Sequence, residues 1–372
     1  MDLGSSHLIS IFALCFLKGV VTEMKKALKI ALVLPSLSDS APIKIAYFIS
    51  IYLKDEADIE VFYLKKTINN LPFECKQTHL KFWKSFDFSG YDIIHSHLVF
   101  ADWFVHRNRK SISGKTISTI HTYIKEDLNN VYRFPKNYLL ELLWLTVLKS
   151  KQNVVYVSSS LQKYYTNTFR KSRNHVVYNG TILKTTGVDF EDFELCSLKK
   201  KYKILGTTSA LLHRKGLQVI PEFISKNKDW YWVVFSDGNY KNSLQNLINK
   251  LGINDRCRFM GYRNDIQNYY PYFDVFVMPS YVEAFGLSIC DAMEKKVPVV
   301  ASNIPSFKEL YTDKEVSFFE TTCSKSLDHA IHYALQSKAF LVENAFHKYK
   351  NNFTAMVMAN HYLALYKLVQ KA

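Results

Sequence analysis

From Leu28 onward the chain alternates short runs of β-branched and aromatic residues with longer segments whose apolar positions recur at helical spacing. Runs of that length, bounded by polar turns, read as buried parallel strands joined by crossover helices. In the first half the expected strands are Lys29–Leu34, Ile59–Leu64, Asp92–His95, Thr116–His121, Val154–Val157 and Val176–Tyr178. The second half restarts the pattern with Lys203–Thr207, Trp230–Phe235, Cys257–Met260, Val275–Met278, Val297–Ala301 and Val316–Phe319. The pattern predicts an α/β protein with two doubly wound sheets. Between them Thr181–Leu198 is polar, carries Asp189, Glu191, Asp192 and Glu194, and has no strong period, so it reads as a linker. Phe353–Gln370 spaces Val357, Leu363, Leu365, Leu368 and Val369 in a helical manner and predicts an amphipathic helix.

A length of 372 residues exceeds what one core usually organises, which fits two sheets in two domains. The expected division is an extension over 1–23, a first domain over 24–185, a second over 186–352 and a closing helical segment, 353–372, packing back toward the first domain. A hydrophobic content of 48% excludes a disordered chain. The net charge of +15 is uneven: residues 24–185 carry 24 Lys and Arg against 12 Asp and Glu, residues 186–372 carry 23 against 19, giving +12 and +4. Such a field favours an anionic surface or substrate without choosing among nucleic acid, acidic lipid and diphosphate. The cysteines Cys15, Cys75, Cys196, Cys257, Cys290 and Cys323 are scattered, with no Cys-x-x-Cys pair, and read as reduced thiols of a cytoplasmic protein. The run Leu8–Leu17 is too short to span a bilayer; with Met24 as a plausible start, 1–23 reads either as an upstream extension or as a membrane-touching anchor.

In open parallel sheets the ligand loops follow the carboxyl ends of strands. The richest such loop follows Val275–Met278: Pro279-Ser280, then Glu283-Ala284-Phe285-Gly286-Leu287-Ser288, then a helix carrying Asp291. The free amides at a helix start suit a diphosphate, and Gly286 lets the backbone approach a ligand closely. Glu283 in the loop and Asp291 in the helix can then meet different parts of one nucleotide-sugar.

This segment resembles the signature of the family 4 retaining glycosyltransferases, a Glu-x7-Glu motif with a Gly-Phe-Gly-Leu turn and a following Pro-Val-Val strand. The resemblance implies a GT-B fold, two Rossmann-like domains facing across a cleft, with the acceptor in the first and the nucleotide-sugar donor in the second. It gives Glu283 the contact with the transferred sugar and Asp291, shorter than the usual Glu, the ribose; Ala284 replaces the usual first Gly. Phe285, Gly286, Leu287 and Ser288 fall in the donor-binding turn. Ser236-Asp237-Gly238 stands where the family has a Gly-Asp-Gly turn, and Phe259-Met260-Gly261-Tyr262 resembles the segment lining the base pocket. Tyr91–His97, Val157-Ser158 and Tyr178-Asn179-Gly180 also fall in family order. Lys215 resembles the family's phosphate-binding lysine. Its partner arginine is replaced by Ala210, so Arg214 or His213 is expected to substitute, because a diphosphate leaving group needs positive charge. His121, ending a strand in a Thr-x-His arrangement, occupies the position of a cleft histidine that touches donor sugar and phosphate, whereas His95 and His97 read as packing or acceptor-side residues. The family's Gly-Gly loop is absent, with Ser38–Pro42 in its place.

The function so implied is transfer of a sugar, hexosyl or N-acetylhexosaminyl, from a UDP- or GDP-linked donor to a saccharide acceptor, lipid-diphosphate-linked in one version. Lipopolysaccharide, O-antigen or capsule assembly is the expected setting. Neither a cofactor nor a metal is expected, as no Asp-x-Asp motif follows a strand. A sugar-nucleotide epimerase and a glycogen-type synthase share the architecture and remain alternatives. A nucleic-acid-binding module lacks any helix-turn-helix, zinc-finger or ribonucleoprotein motif, so no nucleic-acid partner is expected. Two basic aromatic stretches, Trp103–Lys110 and Tyr132–Lys136 before Leu139–Leu148, suit the interface of an anionic membrane, at whose inner face the protein would be peripheral. Leu139–Leu148 itself reads rather as a core helix with solvated cations at its ends, and Trp103–Lys110 fits either description.

Overall fold

A computed structural model describes residues 27–182 and 191–372; the extension 1–23 and linker positions 183–190 lie outside the described residues. The first sheet contains β1 (Leu28–Ser36), β2 (Ala57–Lys65), β3 (Lys76–His79), β4 (Ile93–His97), β5 (Lys115–Ile120), β6 (Asn153–Tyr156) and β7 (Arg173–Val176), in spatial order β3-β2-β1-β4-β5-β6-β7. The second contains β8 (Lys203–Thr208), β9 (Trp230–Phe235), β10 (Cys257–Gly261), β11 (Val275–Met278), β12 (Val299–Ser302) and β13 (Ser317–Phe319), in order β10-β9-β8-β11-β12-β13. Neighbouring strands pair in parallel, as for β1 with β4 and β8 with β11. Central strands such as β1 and β9 are buried on both faces by the crossover helices, which is why they read as unbroken apolar runs. Each sheet reverses its strand order once, between β1 and β4 and between β8 and β11. The loops after those strands diverge there and leave a crevice.

The structure departs from the pattern in specific places. Strand β3 carries only Lys76, Gln77, Thr78 and His79, so no apolar signal announces it. It lies at the sheet edge, where Lys76 and Thr78 donate to the Glu60 carboxylate at 3.1 and 2.6 Å. The strand expected at Val176–Tyr178 lies earlier, at Arg173–Val176, and Tyr178 turns its ring onto Phe285. The expected linker contains a short helix, Phe193–Lys199, capped by Asp192, whose carboxylate accepts from the Leu195 amide at 3.0 Å.

Leu139–Leu148 belongs to a helix, Lys136–Lys149, that buries only Trp144, Val147 and Leu148. It is therefore not a core helix. Its apolar residues run around the whole cylinder, and only one face meets the protein, where Trp144 Nε1 donates to buried Asp102 at 2.8 Å. The outer face carries Tyr138, Leu139, Leu142 and Leu143, exposed by 58, 59, 53 and 38%.

The last helix, Ala355–Lys371, starts at Thr354, whose hydroxyl accepts from the Val357 amide at 3.2 Å. Its buried face is Ala355, Met358, Ala359, Tyr362, Leu365, Tyr366 and Val369, and it packs on the helix Ala41–Tyr52 of the first sheet. Of the residues expected to form its apolar stripe, Leu368 is exposed; the two tyrosines replace it because they reach polar partners inside the first sheet. Glu309 joins the two halves. Its carboxylate accepts from the Ser159 and Ser160 amides and the Ser160 hydroxyl, each at 2.6 Å, satisfying free donors at the start of helix Ser159–Tyr165.

Candidate active site

The second crevice is built by two loops that touch through glycine. Gly216, after β8, has φ +66°, and a Cβ there would come within 1.9 Å of the Pro279 carbonyl after β11, so only glycine permits this approach. The Tyr281 amide donates to the Arg214 carbonyl at 2.9 Å across the same seam. Lys215 and Glu283 thereby meet: the Lys215 ammonium donates to Glu283 Oε2, with both side chains nearly buried, 10 and 14% exposed. Arg214 stands between two carboxylates, 3.9 Å from Glu283 and 3.6 Å from Asp127 of the helix Ile124–Val131, which follows β5 in the other half. Burial would raise the Glu283 carboxyl. The Lys215 and Arg214 charges, the Lys215 hydrogen bond and the Ala284 amide outweigh it and hold the group below its ordinary value, so it is ionised at neutral pH.

Gly286 caps the helix Leu287–Glu294 in the left-handed region at φ +86°. Phe285 is buried, its ring against Tyr178 and Phe353 at 6.2 and 5.6 Å, so only its backbone is available to a ligand. Leu287 packs between the cores of the two halves, and Ser288 Oγ donates to the Thr208 carbonyl at 2.8 Å. Asp291 Oδ1 accepts from the Thr181 hydroxyl at 2.8 Å. Burial pushes its carboxyl up to about 7, against the opposing Thr181 bond and Lys44 charge. Thus Asp291 faces Thr181, where the chain crosses between halves, and Lys44, from the first sheet's helix.

The remaining sequence candidates are dispersed around these two clusters. Gly238, after β9, lies so near Leu211 that a Cβ would meet its carbonyl at 2.3 Å. Gly261 has φ +69° and its carbonyl accepts from the Ser236 amide at 2.7 Å. Tyr262 is exposed at the loop tip; burial and then Asp39 raise its hydroxyl. That aspartate lies in the segment standing where a Gly-Gly loop was missed, and it pairs with Lys44 at 2.9 Å. His213 is not in the charged cluster: its ring meets Tyr240 and Tyr281 edge-on at 5.3 and 5.8 Å. His121 lies just past β5, with its Nε2 2.9 Å from His97 Nδ1. Burial lowers it to about 3, leaving it neutral.

The geometry adds three residues that sequence reasoning missed: Asp127, Thr181 and Tyr270, whose hydroxyl lies 2.9 Å from Thr208 Oγ1 near Asp291. Thr181 had a signal, since it follows Tyr178-Asn179-Gly180 directly. Asp127 had none, because an acid in the first turn of a helix is common on any surface. A buried carboxylate flanked by two cations at the carboxyl ends of β8 and β11 can stabilise a cation on one side and an anion on the other, as transfer from a phosphorylated leaving group requires.

Comparison with known proteins bears on the family and the fold. The family profile described as Glycosyl transferases group 1 matches residues 190–353, and that described as Glycosyltransferase Family 4 matches residues 56–184. The chain is 28% identical over 357 residues to the O-antigen biosynthesis glycosyltransferase WclY of Escherichia coli, covering 91% of this chain and 98% of that one. Among solved structures it superposes on Anabaena Alr3699/HepE in complex with UDP and glucose with a TM-score of 0.75 at 17% identity, over 91% of this chain and 99% of the other. The sucrose-phosphate synthase of Thermosynechococcus elongatus gives 0.74 at 18% identity, over 92 and 98%. With both halves matched in order and the GT-B architecture in place, the chain belongs to the group 1, family 4 glycosyltransferases.

Proposed function

We propose that this glycosyltransferase moves a hexosyl or N-acetylhexosaminyl group from a UDP-linked donor, with retention of configuration, to a saccharide carried on a lipid diphosphate during assembly of a cell-surface polysaccharide. The observation that carries this is the meeting of Lys215, Arg214 and Glu283 at the crevice between β8 and β11. In the donor complex the two cations turn to the diphosphate, and their charge stabilises it as the glycosidic bond breaks. Glu283, ionised, faces the positive charge that develops on the sugar ring. Asp291 keeps Oδ1 on Thr181 and offers Oδ2 to a ribose hydroxyl. The UDP choice draws on the HepE complex, and the polysaccharide setting on the name of WclY.

A lipid-borne acceptor also fits the outer stripe of the helix Lys136–Lys149. Phe134, Tyr138, Leu139, Leu142 and Leu143 form an apolar face with Arg133, Lys136 and Lys149 at its ends, a composition suited to the interface of an anionic bilayer. This helix packs against the helix Ile124–Val131 that carries Asp127, so a membrane held there lies beside the crevice.

The test is a thermal-shift screen of UDP, GDP, ADP and their common sugars, since a ligand binding only the native state raises Tm by mass action. UDP and one UDP-sugar are expected to give the largest shifts. A shift confined to GDP or ADP ligands, or none from any of them, would overturn the donor assignment.

A further inference from the structure

His97 is the middle member of a stack of three imidazoles beneath the crevice of the first sheet. Its ring centroid is 4.2 Å from that of His95 and 5.1 Å from that of His121. His95 is fixed by partners on both nitrogens: Tyr366 OH lies 2.7 Å from Nδ1 and Thr119 Oγ1 lies 2.7 Å from Nε2. His97 Nδ1 lies 2.9 Å from His121 Nε2, whereas His97 Nε2 is buried and has no hydrogen-bond partner among the described residues. Burial keeps the three rings neutral, lowering His95 and His121 to about 3 and His97 well below its ordinary value. Each ring therefore carries one proton, and the pair His97–His121 has two ways to place them.

The two ways differ in cost. With the proton of His97 on Nε2, a buried N–H has no acceptor, and orphaned buried donors are the rarer defect in folded proteins. With it on Nδ1, the orphan is only a lone pair, and the Nδ1–H donates to His121 Nε2. That nitrogen must then be bare, so His121 carries its own proton on Nδ1, the ring nitrogen with no protein partner among the described residues. We propose that His97 is a positioning residue that fixes His121 as the Nδ1–H tautomer, so that His121 presents a hydrogen-bond donor, and not a lone pair, to an oxygen of the bound donor's sugar or phosphate. This rests on the reading of His121 as a cleft residue that touches the donor. A phosphate oxygen can only accept, so the opposite tautomer would set lone pair against lone pair.

The experiment is long-range proton–nitrogen correlation on the full chain labelled with 15N-histidine, with His121 assigned by its loss in His121→Gln. The expected spectrum of the wild-type protein shows His121 protonated at Nδ1 and bare at Nε2; a proton on Nε2, or an even mixture, overturns the proposal without any His97 variant. In His97→Leu, His121 should become a tautomer mixture, and kcat/KM for the donor should fall on the order of tenfold. In His97→Asn, whose amide can donate from near the Nδ1 position, the tautomer and most of the turnover should return. Unchanged tautomer in His97→Leu would also overturn the proposal. Wild-type turnover by His121→Gln would instead defeat the donor contact while the spectrum still reported the tautomer, so the two failures are separable.

Discussion

Lys215 and Glu283 form a nearly buried ion pair although 68 residues separate them along the chain. The strands that carry them, β8 and β11, are neighbours in the sheet, and Gly216 lets their loops touch. Taking one partner away leaves the other charge enclosed, so the pair also tests the site energetically. Glu283→Ala is expected to lower kcat by on the order of a hundredfold or more, as removal of a preorganised transition-state group does. The fold should persist, with an unchanged far-ultraviolet circular dichroism spectrum. Turnover within a few-fold of wild type would refute a catalytic Glu283.

Asp291 has the opposite electrostatics. Its folded-state pKa is raised to about 7 from an ordinary 3.8, chiefly by burial, so the native state holds a proton that the unfolded chain releases. Between those values stability must fall as pH rises, because the unfolded state binds fewer protons. Asp291→Asn removes that penalty. Its Tm relative to wild type should climb by about 2–4 °C between pH 5 and pH 8, while UDP binding weakens because the amide offers one oxygen acceptor where the carboxyl offers two. A Tm difference flat with pH would contradict the raised pKa.

Glu309 should show the reverse dependence. Burial alone would raise its carboxyl, but the Ser160 hydroxyl and the two serine amides pull it below the ordinary range. Its stabilisation is complete above the unfolded pKa and is lost as pH falls through the folded one. Glu309→Ala is expected to cost about 1–3 kcal/mol and to speed amide exchange at the start of the helix Ser159–Tyr165. Because the contact joins the two halves, exchange unaffected there would show that they are held elsewhere.

For the outer stripe of the helix Lys136–Lys149, the double substitution Leu139→Glu with Leu142→Glu is expected to leave Tm within about 1–2 °C, since both residues are more than half exposed. Wild-type protein should sediment with phosphatidylglycerol vesicles and not with phosphatidylcholine vesicles. The variant should lose that binding by at least tenfold. Equal sedimentation of both proteins would remove the bilayer from the proposal.

Much of this protein was legible in its sequence because burial writes itself into composition. The central strands, covered on both faces, read as apolar runs, and the turn Glu283–Leu287 stood where a ligand loop was expected. Strand β3 was silent because an edge strand exposed to water needs no apolar residue. The helix Lys136–Lys149 misled for the converse reason: leucines signal burial only when something covers them, and nothing among the described residues covers its outer face.

The succession of apolar strands along the chain, the restart that marks a second sheet and the loop that carries Glu283 and Asp291 were set by local pattern, since apolar periodicity and glycine placement act over a few residues. What only the tertiary structure decided was pairing at distance. Asp127 next to Arg214, Thr181 on Asp291, and Tyr366 on His95 across 271 residues depend on strand order and interdomain packing. No local rule encodes those, because an isolated polar residue has the same appearance in a sequence whether it faces water or a partner brought from the far end of the chain.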